Sequence, residues 1–226
     1  MIDLSPRLQM VASMVPNCKT AADVGTDHAY LAVRLLSDGV VAHVLATDIH
    51  AGPLARAKQT ASACDMTGRM EFHLCDGLQF PGAELADTIV IAGMGGETMV
   101  SILQAAPWAW ENRALILQPQ SKQRLLYQWL SDHKICLRQA KLCMDAGKLY
   151  LAFLAMGQGE GQESVEDLLL AAKDPLLPIY LESEENRLCY ASEAMQKASR
   201  DMRSQLDAIK EQLAYLEHYR KAVESW

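Results

Sequence analysis

The sequence has six cysteines and six histidines, yet it contains no CxxC pair, no HExxH and no Cys/His set with zinc-ligand spacing. The ordinary zinc frameworks are therefore excluded. The scattered cysteines (Cys18, Cys64, Cys75, Cys136, Cys143 and Cys189) predict reduced thiols, with neither a disulfide nor a metal. No stretch approaches the ~20 apolar residues a membrane helix needs. The opening residues, MIDLSPRLQM, lack the charged head and long apolar run of a signal peptide. The expectation is a cytoplasmic chain with no membrane contact. Internal repeats and low-complexity tracts are also missing.

What the chain does have is length for one full core and a small appendage: 226 residues, half of them hydrophobic. The net charge of −7 is unevenly spread. Residues 1–156 carry 13 basic against 14 acidic side chains, so −1, whereas residues 157–226 carry 8 against 14, so −6. The acidity belongs to the tail.

Ser5-Pro6 opens a first helix, with Ser5 as cap, Pro6 at the first turn, and Leu8, Val11, Ala12 and Val15 on one face. Five short apolar runs then alternate with helical stretches. They are residues 20–24, 43–47 ending at Asp48, 70–74, 88–92, and RALILQP, which stops at Pro119. The helix after the fifth run has Ser121 as its plausible cap. This alternation predicts a parallel sheet covered on both faces. Residues 138–144 and 149–156 flank Asp145-Ala146-Gly147-Lys148, a hairpin turn. A mostly parallel α/β sheet closed by a C-terminal antiparallel hairpin is the Rossmann-like pattern of class I S-adenosylmethionine (SAM) methyltransferases. A dinucleotide dehydrogenase more usually ends in another crossover helix.

A Gly-rich linker, GQGEGQES, divides this region from a helical tail, giving an expected division into residues 1–157 and 158–226. In the tail Leu188, Ala191, Met195, Ala198, Met202, Leu206, Ile209, Leu213 and Leu216 recur at spacings of three and four, a coiled-coil seam. Either a helical hairpin reversing near Ala198 to Arg200 or one long helix with a partner chain would cover it. A monomer or a weak dimer through the tail follows.

The chemistry centres on TAADVGTDHAY, residues 20–30, a strand, a glycine turn and a helix start. Gly25 allows the tight turn, but there is no GxGxxG, because Asp27 stands where the second glycine would be. A carboxylate repels a pyrophosphate and attracts the ammonium or sulfonium of SAM, so the turn favours SAM over NAD. Asp27 could equally cap the following helix. Asp48, at the tip of the second strand, suits ribose hydroxyls. Asp76, ending the third strand, can accept the adenine amino group, with Leu78 packing the ring. All three carboxylates sit at strand carboxyl ends, the edge where open α/β sheets bind ligands.

At the fourth strand's end lies Gly93-Met94-Gly95-Gly96 rather than the Asn/Asp-Pro-Pro-aromatic run of exocyclic adenine-amine methyltransferases. A glycine-rich backbone lets a flat base approach but provides no general base. That fits a nucleophile with an available lone pair, such as ring N1 of adenine, with catalysis by positioning and electrostatics. Met94, Trp108, Trp110 and Tyr150 are candidates to stack on an extruded base. His28 either touches cofactor or substrate, or packs at the helix start.

ADVGTDHAYL (22–31), ATDIHAGPLARA (46–57), CDGL (75–78), IAGMGG (91–96), LQP (117–119) and DAGKLY (145–150), in that order, closely resemble the bacterial tRNA (adenine-N1)-methyltransferases that modify adenosine 22, the TrmK family. The resemblance covers residues 1–156 strongly and the tail in character. It implies SAM as methyl donor, tRNA as substrate, and a C-terminal domain of antiparallel helices that helps to hold the tRNA. The cofactor-facing candidates are Asp23, Gly25, Thr26, Asp27, His28, Asp48, Ile49, Asp76, Gly77, Ala92 and Gly93. The residues at the reacting centre, positioning rather than acting as a base, are His28, Gly93, Met94 and Gly95. Substrate-side candidates are Arg7, Met94, Gly96, Pro119 and Tyr150. Two departures stand out: Ala32 where proline is expected, and Cys75 where glycine usually precedes the DGL.

Phosphate binding requires basic residues. Arg187, Lys197, Arg200, Arg203, Lys210, Arg220 and Lys221 either gather on one side of the tail or form a solvated face. Lys122, Arg124, Arg138 and Lys141 are the alternatives near the sheet. Rival readings are a SAM methyltransferase of another acceptor, a nicotinamide oxidoreductase, and a non-catalytic module that recruits partners through its helices.

Overall fold

A computed structural model describes residues 2–159, 163–196 and 202–226. The chain forms two compact units, Met1–Val165 and Glu166–Trp226. In the first, seven strands (β1 Cys18–Val24, β2 Val41–Asp48, β3 Met70–Leu74, β4 Thr88–Gly95, β5 Ala114–Ser121, β6 Ile135–Asp145 and β7 Lys148–Gln158) make one sheet in the order β3-β2-β1-β4-β5-β7-β6. Strands β1 to β5 pair in parallel, and β7 runs antiparallel to both β5 and β6. The helices of this unit are α1 Pro6–Ala12, α2 Tyr30–Ser37, α3 Ala51–Ala63, α4 Gly96–Ala105 and α5 Gln123–Asp132.

The centre of the sheet is apolar because both its faces are covered. Ile89, Val90 and Ile91 of β4 and Leu115, Ile116 and Leu117 of β5 are all fully buried. After β1 the chain builds β2 and β3 on one side, then returns to lay β4 and β5 on the other. The order therefore reverses between β1 and β4, which leaves a crevice at the carboxyl ends of those two strands.

Several local expectations change in detail. The Ser5 cap and Pro6 are where the sequence places them, the Ser5 Oγ accepting from the Leu8 N–H at 3.5 Å, but α1 ends at Ala12 and Val15 lies beyond it, buried. β4 does not stop at Ala92. It continues to Gly95 against β5, and the pairing shifts register around Met94, which stands opposite Pro119. Because the ladder is already irregular there, proline costs no regular hydrogen bond and β5 runs on to Ser121. Ser121 is consequently a strand residue, and the position before α5 is Lys122, left-handed and without a side-chain cap. Likewise α2 starts at Tyr30, preceded by Ala29 at φ 57° with no side-chain cap, so Asp27 does not cap it. The hairpin turn has Ala146 and Gly147 both at positive φ between the paired Asp145 and Lys148. Those are the conditions of a two-residue turn whose twist matches its strands.

The second unit holds most of α6 (Val165–Ala171) together with α7 (Leu177–Gln196) and α8 (Arg203–Val223). The expected reversal at Ala198 to Arg200 lies outside the described residues. Arg220, late in α8, reaches Glu185, in the first half of α7, at 2.9 Å, as in two helices that run antiparallel. Leu177, Tyr180, Leu181 and Leu188 of α7 and Ile209, Leu216 and Tyr219 of α8 are buried. The Tyr219 hydroxyl donates to the Asp167 carboxylate of α6 at 2.7 Å. Among the described residues, no helix is long and apolar enough to cross a membrane.

Candidate active site at the carboxyl edge of the sheet

The turn after β1 is tied down from beneath. The N–H groups of Gly25 and Thr26 both donate to the Thr47 carbonyl at the end of β2, each at 2.9 Å. Thr26 Oγ1 donates to Asp23 Oδ2 at 2.7 Å, and the Ala29 N–H closes the turn on the Thr26 carbonyl. Gly25 has φ 72°, and a β-carbon there would overlap the terminal methyl of Met94. The ends of β1 and β4 thus meet at the crevice through Gly25 and Met94. Asp23 is buried beside them. Burial pushes its carboxyl up to about 6, the Thr26 hydroxyl working against this and the nearby Asp48 adding to it.

Asp48 is also buried, and its two oxygens hold the adjoining loops. Oδ1 accepts the His50 N–H at 2.9 Å and Oδ2 accepts the Asp27 N–H at 3.3 Å. Asp27 has φ 48°, and its exposed carboxylate pairs with Arg56 at 3.1 Å and lies 3.8 Å from His28 Nε2. His28 stacks on Tyr30 with ring centroids 5.2 Å apart. One strand further, the Cys75 N–H donates to the Asp48 carbonyl, and Thr47 Oγ1 donates to the Gly77 carbonyl at 2.9 Å. This holds Asp76 at the same edge. Leu78 is buried in the core, so the apolar surface open at these strand ends belongs to Ile49 and Leu74, both 59% exposed. Cys75, in place of the expected glycine, fits within the turn with its thiol 3.6 Å from the Gly77 carbonyl; burial foremost, and then Asp76, push that thiol upward.

The substrate-side candidates lie around the end of β4 and its neighbours. Ala92 pairs with Gln118 of β5. The Gly93 N–H donates to Gln118 Oε1 at 3.1 Å, and Arg7 Nη1 donates to the same oxygen at 2.9 Å. The Arg7 guanidinium also lies 5.8 Å from the Tyr150 ring centroid, and its backbone N–H reaches the Asp145 carboxylate at 3.3 Å. Gly96 starts α4 in contact with the Lys122 carbonyl, where a β-carbon would collide, and Gly95 lies beside Ser121 Oγ. Arg7, Met94, Pro119 and Tyr150 are therefore assembled from four distant stretches of chain.

Trp108 and Trp110 are not there. They precede β5, at the amino edge of the sheet, where Trp108 lies under the Arg113 guanidinium at 4.9 Å and Trp110 packs edge-on to Trp129 and His133. The two residues that sequence reasoning missed are Thr47 and Gln118. Their signal was a polar side chain inside an otherwise apolar strand run.

The basic candidates are largely occupied. In the tail Arg187 pairs with Glu184, Lys210 with Asp207, Arg220 with Glu185 and Lys221 with Glu217, while Lys197 and Arg200 lie outside the described residues. Near the sheet, Lys122 faces Glu97 at 3.6 Å, Lys141 donates to Ser13 and Arg138 to the Met156 carbonyl. Among the described residues no cluster of histidine, cysteine or carboxylate is arranged to hold a metal ion.

Residues 4–153 match the family model described as a methyltransferase domain. Over 186 residues the chain is 31% identical to the tRNA (adenine(22)-N(1))-methyltransferase of Bacillus subtilis, an alignment that spans 82% of this chain and 77% of that protein. The crystal structure of the B. subtilis m1A22 tRNA methyltransferase TrmK superposes with a TM-score of 0.82 at 26% identity, covering 97% of this chain and 99% of that one. A Streptococcus pneumoniae protein solved in complex with S-adenosyl-L-methionine superposes with a TM-score of 0.78 at 30% identity, covering 93% of this chain and all of that one.

Proposed function

The chain belongs to the family of tRNA (adenine(22)-N(1))-methyltransferases, and from that membership we infer that it transfers a methyl group from SAM to N1 of adenosine 22 in tRNA. The observation that carries the reading is the meeting of the Gly25 turn, the buried Asp48 carboxylate and the Gly93–Met94 loop at one crevice, where the strand order reverses.

The residues present suit SAM. Asp48 is oriented by two backbone N–H groups, ready for a vicinal pair of ribose hydroxyls. Ile49 offers apolar surface to a purine, and Asp76 an acceptor for its amino group. Asp27 presents a carboxylate to the ammonium, in place of its present partner Arg56. Bound SAM supplies an electrophilic methyl on a cationic sulfur. The protein's own part is placement. Gly93 and Gly95 let the base come close to the backbone, while Met94 and Tyr150 flank it and restrict its tilt. N1 of adenine already carries a lone pair in the ring plane, so no residue needs to remove a proton before attack. That agrees with a centre built from glycine and methionine without a base. His28, stacked on Tyr30 and beside Asp27, serves the cofactor side.

Four of the tail's cations, Arg187, Lys210, Arg220 and Lys221, are matched by carboxylates, so we place the phosphate contacts mainly on the catalytic unit and give the tail a supporting role in holding tRNA. The enzyme works as a monomer or weak dimer in the cytoplasm, where its tRNA substrate is found. The test is methyl transfer from labelled SAM to unmodified tRNA transcripts with and without adenosine 22. Label in the first only, recovered as 1-methyladenosine, is expected. Equal labelling of both transcripts, or none, would overturn the assignment.

A further inference from the structure

Gln118 is fully buried although it sits at the carboxyl end of β5, between Leu117 and Pro119. A buried carboxamide must be bonded to be tolerated, and the bonds it makes are specific. Its one oxygen receives two donors, the Gly93 N–H at 3.1 Å and Arg7 Nη1 at 2.9 Å, while its amino group donates to the Pro119 carbonyl at 3.3 Å. Two donors converging on one atom fix which way the amide faces, because the flipped amide would set its NH2 against both. The result couples the turn at the methyl-accepting end of β4 to a cation on the N-terminal helix.

Arg7 is half-buried, and its guanidinium stands over Gly93, where a β-carbon would lie 3.4 Å from Nη1. Among the described residues no carboxylate comes within 4.0 Å of that guanidinium. Its partners are a neutral amide oxygen and the Tyr150 ring. A guanidinium has five N–H donors, so with one hydrogen bond to Gln118 and no paired carboxylate among the described residues most of its bonding capacity is open to a further ligand. Arginine presented in this way matches the geometry of a phosphate.

We propose that Gln118 is a positioning residue for the acceptor strand: its carboxamide oxygen locks the Gly93 turn and the Arg7 guanidinium into one unit, and Arg7, held there by a neutral partner, takes a phosphate of the tRNA beside the target adenosine. Neutrality is the essential property. A carboxylate at position 118 would keep the two hydrogen bonds from Gly93 and Arg7 and give up only the one to the Pro119 carbonyl, yet cancel the charge that the phosphate needs. This rests on the methyl-transfer reading above.

The test compares Gln118→Glu, Gln118→Leu and Arg7→Ala with wild type, measuring kcat, S-adenosylhomocysteine affinity, and the Kd for unmodified tRNA across a range of salt. Gln118→Glu should weaken tRNA binding about tenfold. It should also reduce the slope of log Kd against log salt by about one phosphate contact, with S-adenosylhomocysteine affinity within about threefold of wild type. Arg7→Ala should show the same reduced slope, and adding Gln118→Glu to it should reduce the slope no further. Gln118→Leu should additionally lower kcat, because Gly93 loses its acceptor. A wild-type salt slope in Gln118→Glu or in Arg7→Ala would overturn the proposal, and both variants remain informative if Gln118→Leu does not fold. A wild-type enzyme that labels no tRNA would instead sink the methyl-transfer reading, and this proposal with it.

Discussion

The terminal methyl of Met94 lies against Gly25, so closely that a β-carbon on the glycine would overlap it. That contact joins the turn after β1, where we place the cofactor, to the end of β4, where we place the acceptor. The two halves of the crevice are therefore one packed surface, and a change on either side is felt on the other.

Gly25→Ala tests this directly. The residue has φ 72°, a conformation that costs an L-residue about 1–2 kcal/mol, and the new methyl must also displace Met94. S-adenosylhomocysteine binding by calorimetry should weaken at least tenfold, with a lowered melting temperature. Wild-type affinity in the variant would mean the turn does not form the cofactor site.

Asp48→Ala should weaken cofactor binding by about 1–3 kcal/mol, the value of hydrogen bonds to a charged acceptor. The variant also frees the His50 and Asp27 N–H groups that Asp48 now receives, so Asp48→Asn, which keeps one acceptor oxygen, should lose less. Equal affinity in all three proteins would remove Asp48 from the site.

Asp23 predicts a pH dependence of stability. Burial raises its carboxyl from an ordinary 3.8 to about 6, so between those values the folded protein binds more protons than the unfolded chain. Stability from this group is complete below about pH 4 and is lost as pH rises toward 6, by about 3 kcal/mol at most. Urea unfolding of wild type and Asp23→Asn should show wild type falling relative to the variant across that window. A constant difference would show that Asp23 ionises normally in the fold.

The tail's cations should matter little for RNA. Lys210 and Lys221 each face a carboxylate within their own helix, and exposed pairs of this kind contribute weakly. Alanine at both positions should change tRNA Kd less than about threefold in a filter-binding titration. A tenfold loss would relocate the phosphate contacts to α8.

Much of this was legible in the chain itself. β1 to β5 could be read because each is an apolar run ended by a charged or glycine turn or, for β5, by Pro119, and the Ala146-Gly147 turn marked the antiparallel hairpin. The placement of Asp48 and Asp76 at the sheet's carboxyl edge was readable because a carboxylate at a strand's carboxyl end has a predictable address. Trp108 and Trp110 were misleading for the converse reason. Aromatic character says what a side chain can do, and only the placement of Pro107–Trp110 before β5 puts them at the opposite edge. The ends of β4 and β5 were also misjudged, since Pro119 reads as a stop unless the register shift at Met94 is known.

The sequence by itself determined the alternation of strands and helices, the missing second glycine that turns the β1 loop from a pyrophosphate toward a cationic cofactor, and a Gly93-Met94-Gly95-Gly96 stretch with no acidic or basic side chain of its own. These are properties of neighbouring residues, set by local backbone preference and side-chain charge. Only the tertiary structure decided that Arg7, Gly93, Gln118 and Tyr150 meet. Arg7 and Gln118 are 111 positions apart, and no periodicity or propensity acts over that distance. Their partnership exists because α1 and the central strands β4, β5 and β7 share one core, and burying Gln118 there left its oxygen those two donors to accept.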